Sequence, residues 1–114
     1  MQTAEFENLV EQCLKEIPKK FRDLLENITI EVEPNEISFN KDHQLILGLY
    51  KGVPFSYRGP AYQGVVPDKI IIYQKAFAHY PQSKLPELIK NVVMHEIGHY
   101  FGMSEEELEK YKKV

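Results

Sequence analysis

The sequence predicts an α+β fold: a small mixed or antiparallel sheet packed against one central helix, with further helices at the N- and C-terminal ends. Three observations lead to it. Apolar residues recur at three- and four-residue steps near the N-terminus. Short β-branched runs follow at Ile28–Val32 and Ile70–Ile72. The most apolar helical pattern of the chain, Leu85–Phe101, comes after them and is punctuated by Gly102. With 114 residues, one domain spanning 1–114 and one core are expected.

Each element has a local reason. Phe6, Leu9, Val10, Cys13, Leu14 and Ile17 form one apolar stripe, which predicts a first helix with Thr3 as its N-cap. Cys13 lies on that stripe and reads as a small core residue rather than a reactive thiol. Pro18 interrupts the pattern, and Phe21, Leu24, Leu25 and Ile28 resume it, so a short second helix is predicted over 19–26. Ile28–Glu33 alternates apolar and polar residues, as a strand with one buried face does, and Pro34-Asn35 closes it. Gln44–Tyr50 reads as a second strand and Val53–Tyr57 as the return arm of a hairpin, with a loop marked by Gly59-Pro60 and Gly64. Asp68–Tyr73, built on three isoleucines, reads as a strand buried on both faces. Gln74–Tyr80 is predicted as a short helix ended by Pro81, with Ser83 opening the next. Along Leu85–Phe101, residues Ile89, Val93, Ile97, Tyr100 and Phe101 cover one broad face, and Glu87, Lys90 and Asn91 form the polar strip. A helix this apolar packs on the sheet at the centre of the domain.

Bulk properties narrow the function classes. A net charge of -3 gives no electrostatic attraction to nucleic acid or to an anionic membrane. No segment approaches membrane-spanning length, and the polar, acidic Met1–Phe6 stretch is unlike a signal peptide. Cys13 is the one cysteine, so neither an internal disulfide nor a Cys-rich zinc framework can form, and a reducing compartment is favoured. The expectation is a soluble, cytoplasmic, monomeric protein without nucleic-acid or membrane partners.

The chemistry sits in His95-Glu96-Ile97-Gly98-His99, an HExxH motif near the end of the apolar helix. On a wheel of about 100° per residue, His95 and His99 differ by about 40°, so both imidazoles reach one small cation. Glu96 stands about 100° from His95 and flanks the ion, where its carboxylate can reach a water. A zinc hydrolase needs this arrangement, with two histidine ligands and a glutamate as general base. Two surface histidines beside a salt-bridged glutamate are the bland alternative, and they fit poorly with the most apolar helix of the chain.

A third protein ligand must come from beyond the helix. Gly102 can take the left-handed conformation that ends a helix and turns the chain back beneath the histidine face. Glu105, six residues after His99, and Glu106 are the candidates, with Glu105 preferred because it matches the third-ligand position of the extended HExxH motifs that this stretch resembles; either carboxylate would complete a His₂–carboxylate set. Ser104-Glu105-Glu106-Glu107 also matches a capping box, with Ser104 as N-cap and Glu107 at N3. Acidic residues in a first helical turn are favoured by the helix dipole alone. Both readings can hold together, because the cap uses Ser104 and Glu107 and makes no demand on Glu105.

On these residues the chain resembles the small bacterial zincin-like metallopeptidases, or minimal metalloproteases, whose motif runs HExxHxxGxxD. The chain reads HEIGHYFGMSEEE from His95 to Glu107. The likeness extends to Leu47–Pro54, to Arg58, to Val66–Tyr73 and to the N-terminal helix pattern. It implies a minimal zincin-like fold, a zinc cofactor on His95, His99 and Glu105, and Glu96 as the catalytic base. It also implies a peptide or protein substrate lying extended along a sheet edge, which Val53–Tyr57 or Lys69–Tyr73 would supply. Glu105 departs from the family's aspartate by one methylene, so the loop must shift or the carboxylate must bind differently.

Tyr57, Arg58, Tyr62, His79 and Tyr80 are candidates for a second oxyanion donor. His43 and His79 otherwise read as ordinary surface or core histidines. Two function classes follow: a zinc-dependent metallopeptidase, or a zinc-binding module that holds a peptide or partner with little or no proteolysis.

Overall fold

A computed structural model describes residues 1–52 and 68–111. Helix α1 spans Thr3–Glu16 and α2 spans Lys19–Leu24. Strands β1, β2 and β3 span Thr29–Glu33, Gly48–Lys51 and Lys69–Tyr73. Two 3₁₀ turns, Gln74–His79 and Gln82–Lys84, lead into α3, Leu85–Tyr100, and α4, Glu105–Glu109, follows. The expected hairpin arm Val53–Tyr57 and the loop at Gly59-Pro60 and Gly64 lie outside the described residues.

Thr3 is the first residue of α1 rather than its N-cap. Gln2 holds the extended cap position, and its backbone N–H donates to Glu5 Oε1 at 3.3 Å, a capping role set by the glutamate three residues on. The stripe behaves as its spacing requires: Phe6, Val10, Cys13 and Ile17 are all buried. Cys13 Sγ lies 3.5 Å from the Pro86 carbonyl, and burial pushes its thiol pKa up, more than the nearby Lys90 ammonium pulls it down. This cysteine is packing, not a nucleophile. Lys90 reaches Glu16 at 2.6 Å and ties the end of α1 to α3.

The sheet is mixed, with strand order β1-β3-β2. β1 runs parallel to β3, pairing Thr29 with Lys69 through Glu33 with Tyr73. β2 runs antiparallel to β3, pairing Gly48 with Ile72 and Tyr50 with Ile70. Lys69–Tyr73 is therefore the central strand and offers no edge, contrary to the expectation that it could receive a substrate. The reason is topological. The chain passes from β1 to β2 before returning to fill the gap between them.

That crossover explains why β3 is apolar on both faces. Ile70 and Ile72 point into the main core, shared with Phe6, Phe21, Phe77, Ile89, Val93 and Ile97. Ile71 and Tyr73 point the other way, where Leu45, Ile46 and Leu47 of the β1–β2 connection cover them. The predicted strand over Gln44–Tyr50 is shorter than its composition suggests for the same reason. Its first half leaves the ladder to form this cover, with one isolated bridge between Phe39 and Leu45.

On α3, Ile89, Val93 and Ile97 are wholly buried, while Tyr100 is half-buried and Phe101 exposed. Phe101 drops off the expected face because the helix ends at Tyr100. Helix α4 packs back on α3 through Leu108, and Gly98 makes room for it: a Cβ on Gly98 would stand 2.4 Å from Leu108 Cδ2. Adding that methyl sets two effects against each other. Overpacking costs about 1–3 kcal/mol, and replacing a mid-helix glycine returns about 1 kcal/mol. Gly98→Ala should therefore lower the urea-unfolding free energy by up to about 2 kcal/mol. An unchanged or raised midpoint would mean that Leu108 swings aside freely.

Candidate metal centre

The motif occupies the last turns of α3. Because Val93 and Ile97 are locked into the core, the rotation of the helix is fixed, and His95, Glu96 and His99 are directed to its outer flank. The imidazoles of His95 and His99 stand edge to face with ring centroids 4.4 Å apart.

The helix then ends in a Schellman turn. Gly102 takes φ +83°, its N–H donates to the His99 carbonyl at 3.0 Å, and the Met103 N–H donates to the Gly98 carbonyl at 2.8 Å. Met103 is buried after the turn and anchors the reversed chain. Ser104 caps α4 as its sequence predicts: the Glu107 N–H donates to Ser104 Oγ at 3.1 Å, and the Ser104 N–H donates to Glu107 Oε1 at 3.2 Å.

This turn delivers Glu105 to the histidines. Its Oε1 lies 2.7 Å from His99 Nε2 and 3.5 Å from His95 Nε2. The three ligand atoms all lie within 4.8 Å of one another, and the three side chains are half-buried or exposed. Glu106, the second candidate, is exposed in the same turn, and the cluster forms on Glu105. Two imidazoles and one carboxylate are a donor set that zinc accepts, with bonds of about 2.0–2.2 Å. Tetrahedral donors on such bonds stand about 3.4 Å apart. The His95–Glu105 separation already matches, whereas the 2.7 Å His99–Glu105 contact is a hydrogen bond that an ion would replace. The residues fit the metal.

Glu96 is half-buried and faces β2, where the Tyr50 N–H donates to its Oε1 at 2.9 Å. The Tyr50 ring stacks on Tyr100 with centroids 4.2 Å apart and planes 19° from parallel. The Tyr100 hydroxyl in turn donates to Asp68 Oδ2 at 3.0 Å, and Asp68 is only 8% exposed. None of this assembly was anticipated from the motif. The available signal was indirect, since Tyr50 and Asp68 fall within the upstream stretches of family likeness.

The other expected participants fare differently. Tyr80 is exposed and lines a cavity with Met1, Gln74 and Leu85 at the opposite end of α3, roughly 15 Å along the helix axis from His95. His79 precedes it at that end, so neither is an oxyanion donor for this site. His43 sits exposed in a tight turn with φ 60°. Tyr57, Arg58 and Tyr62 lie outside the described residues.

The profile of the zincin-like metallopeptidase family matches residues 25–114. Among solved structures, a conserved hypothetical protein from Thermus thermophilus is similar in fold, with a TM-score of 0.62 at 21% identity, over 88% of this chain and 94% of that one. No curated protein matches.

The cap carries a pH signature. Hydrogen bonds from the Ser104 backbone and side chain hold the Glu107 carboxyl below its usual range. A depressed folded-state pKa means that the contribution is present above the ordinary glutamate value of about 4.3 and is lost as pH falls through the folded value. Glu107→Gln should therefore be less stable than the parent at pH 7, with the difference closing in acid. Ser104→Ala should cost about 1 kcal/mol. Urea unfolding across pH checks both.

Proposed function

The chain belongs to the zincin-like metallopeptidase family, and on that premise we propose that it is a zinc-dependent peptidase, with His95, His99 and Glu105 as ligands and Glu96 as general base. The observation that carries this reading is the meeting of three donor side chains beside a half-buried glutamate on the same helix. A zinc ion held there would supply Lewis-acid chemistry, acidifying a water and polarising a peptide carbonyl.

The chain's own residues do the rest. Glu96 takes the proton of the attacking water and hands it to the departing amine. Its Oε1 is held by the Tyr50 N–H, which leaves Oε2 for that exchange. Glu105 keeps its place because the cap is made by its neighbours, Ser104 and Glu107.

The substrate is a peptide or protein segment lying extended along β2. The Tyr73 N–H donates to the Leu47 carbonyl, which sets the alternation of the antiparallel ladder: Leu49 and Lys51 bond to β3, while the peptide groups of Gly48 and Tyr50 turn away from it. The outward side of β2 is the side that meets Glu96. A chain laid there would pair with outward groups of β2 other than the Tyr50 N–H, which Glu96 already takes, and would bring its carbonyls towards the site.

Metal analysis of the purified protein should find about one zinc per chain, and His95→Ala and His99→Ala should each abolish it. Glu105→Ala should also lose zinc; a purely capping residue would leave zinc in place. Glu96→Gln should keep the metal and reduce peptide hydrolysis by at least about 100-fold. A peptide-library digest with and without chelator tests the activity itself. Full zinc loading with no cleavage would replace the peptidase by a zinc-dependent peptide-binding module.

A further inference from the structure

Glu96 belongs to α3, yet it is also held from the sheet. We infer that Tyr50, Tyr100 and Asp68 are positioning residues for Glu96: Asp68 fixes the Tyr100 ring, that ring fixes Tyr50 by stacking, and the Tyr50 N–H fixes the carboxylate. The inference rests on the peptidase reading for its catalytic meaning but not for its geometry.

Three links form the chain. Asp68 is buried immediately before β3, and its Oδ2 accepts from the Tyr100 hydroxyl at 3.0 Å. Tyr100 is the last residue of α3, where a helix without tertiary contacts frays. The hydroxyl bond and the near-parallel stack on Tyr50, at 4.2 Å, tie that last turn to the sheet. Such a stack contributes about 0.5–1.5 kcal/mol beyond area burial.

The third link uses the ladder. Tyr50 belongs to the set of β2 residues whose N–H points away from β3. That N–H is spent on Glu96 Oε1 at 2.9 Å. One oxygen of the base is thereby committed, and the rotation of the carboxylate is restricted. A hydrogen bond to an ionised carboxylate is roughly twice as strong as a neutral one, which makes a single backbone donor an effective clamp. The strand that would receive the substrate and the base that would act on it share one registration.

Amide hydrogen exchange followed by NMR on the zinc-loaded chain reads this directly. Leu49 and Lys51 are internal controls, because their N–H groups bond to β3. Glu96→Ala should speed exchange at Tyr50 about tenfold and leave both controls unchanged; equal Tyr50 exchange with and without the Glu96 carboxylate overturns the proposal. Tyr100→Leu should keep zinc content, speed Tyr50 exchange similarly, and lower kcat roughly tenfold at constant KM. Tyr100→Phe keeps the stacked ring but loses the bond to Asp68, so both effects should appear at intermediate size; behaviour identical to the parent would remove Asp68 from the proposed chain. Tyr100→Leu leaving Tyr50 exchange untouched, or changing KM and zinc content instead of kcat, would reduce the assembly to ordinary packing and also overturn the proposal. If the parent cleaves no peptide, the peptidase reading fails, and the exchange measurements still decide whether Tyr50 holds Glu96.

Discussion

Ile89, Val93 and Ile97 lie along one side of α3 with no exposed surface, packed against α1 and the inner face of the sheet. Burying each side chain is worth about 1.5–3 kcal/mol, and any rotation of the helix would expose all three at once. That penalty fixes the angular setting of α3 within a narrow range. Everything attached to the helix inherits the setting: the direction of His95, the one-turn offset of His99, and the side on which Glu96 emerges. A site built on a core helix is oriented by hydrophobic packing before any polar contact is made.

The end of α3 then turns orientation into convergence. Gly102 permits the left-handed turn, buried Met103 anchors the reversed chain, and Leu108 settles over Gly98. The capping box consumes Ser104 and Glu107, so the first turn of α4 is held by residues that the donor cluster does not use. Glu105 reaches the histidines from a rigid turn rather than from a loose loop. The extra methylene relative to the family's aspartate is absorbed here without loss of contact, since its carboxylate lies within 3.5 Å of both imidazoles.

On the opposite flank the sheet supplies the second fixed point. Because β3 is flanked by both other strands, β1 and β2 form the two edges among the described residues. Of these two edges, β2 is the one that meets the motif, through Glu96. Its outward N–H at Tyr50 binds Glu96, and its aromatic ring lies on Tyr100, so the helix end and the strand are coupled through both backbone and side chain. Glu96 is therefore held from the sheet, and Glu105 from the α3–α4 turn.

What the chain determined by itself is local. Helical spacing made α1 and α3 legible, a four-residue interval put His95 and His99 on one face, and Gly102 and the Ser104–Glu107 pair announced the turn and the cap. These features depend on contacts between residues three to six apart, which the order of residues displays directly. Strand order, the diversion of Leu45–Leu47 into a cover for Ile71 and Tyr73, the seat of Leu108 on Gly98, and the Asp68–Tyr100–Tyr50–Glu96 assembly were not legible. Each joins segments far apart in the chain. Their partners are chosen by which surfaces remain to be buried once the core has closed, and only the tertiary structure decides that.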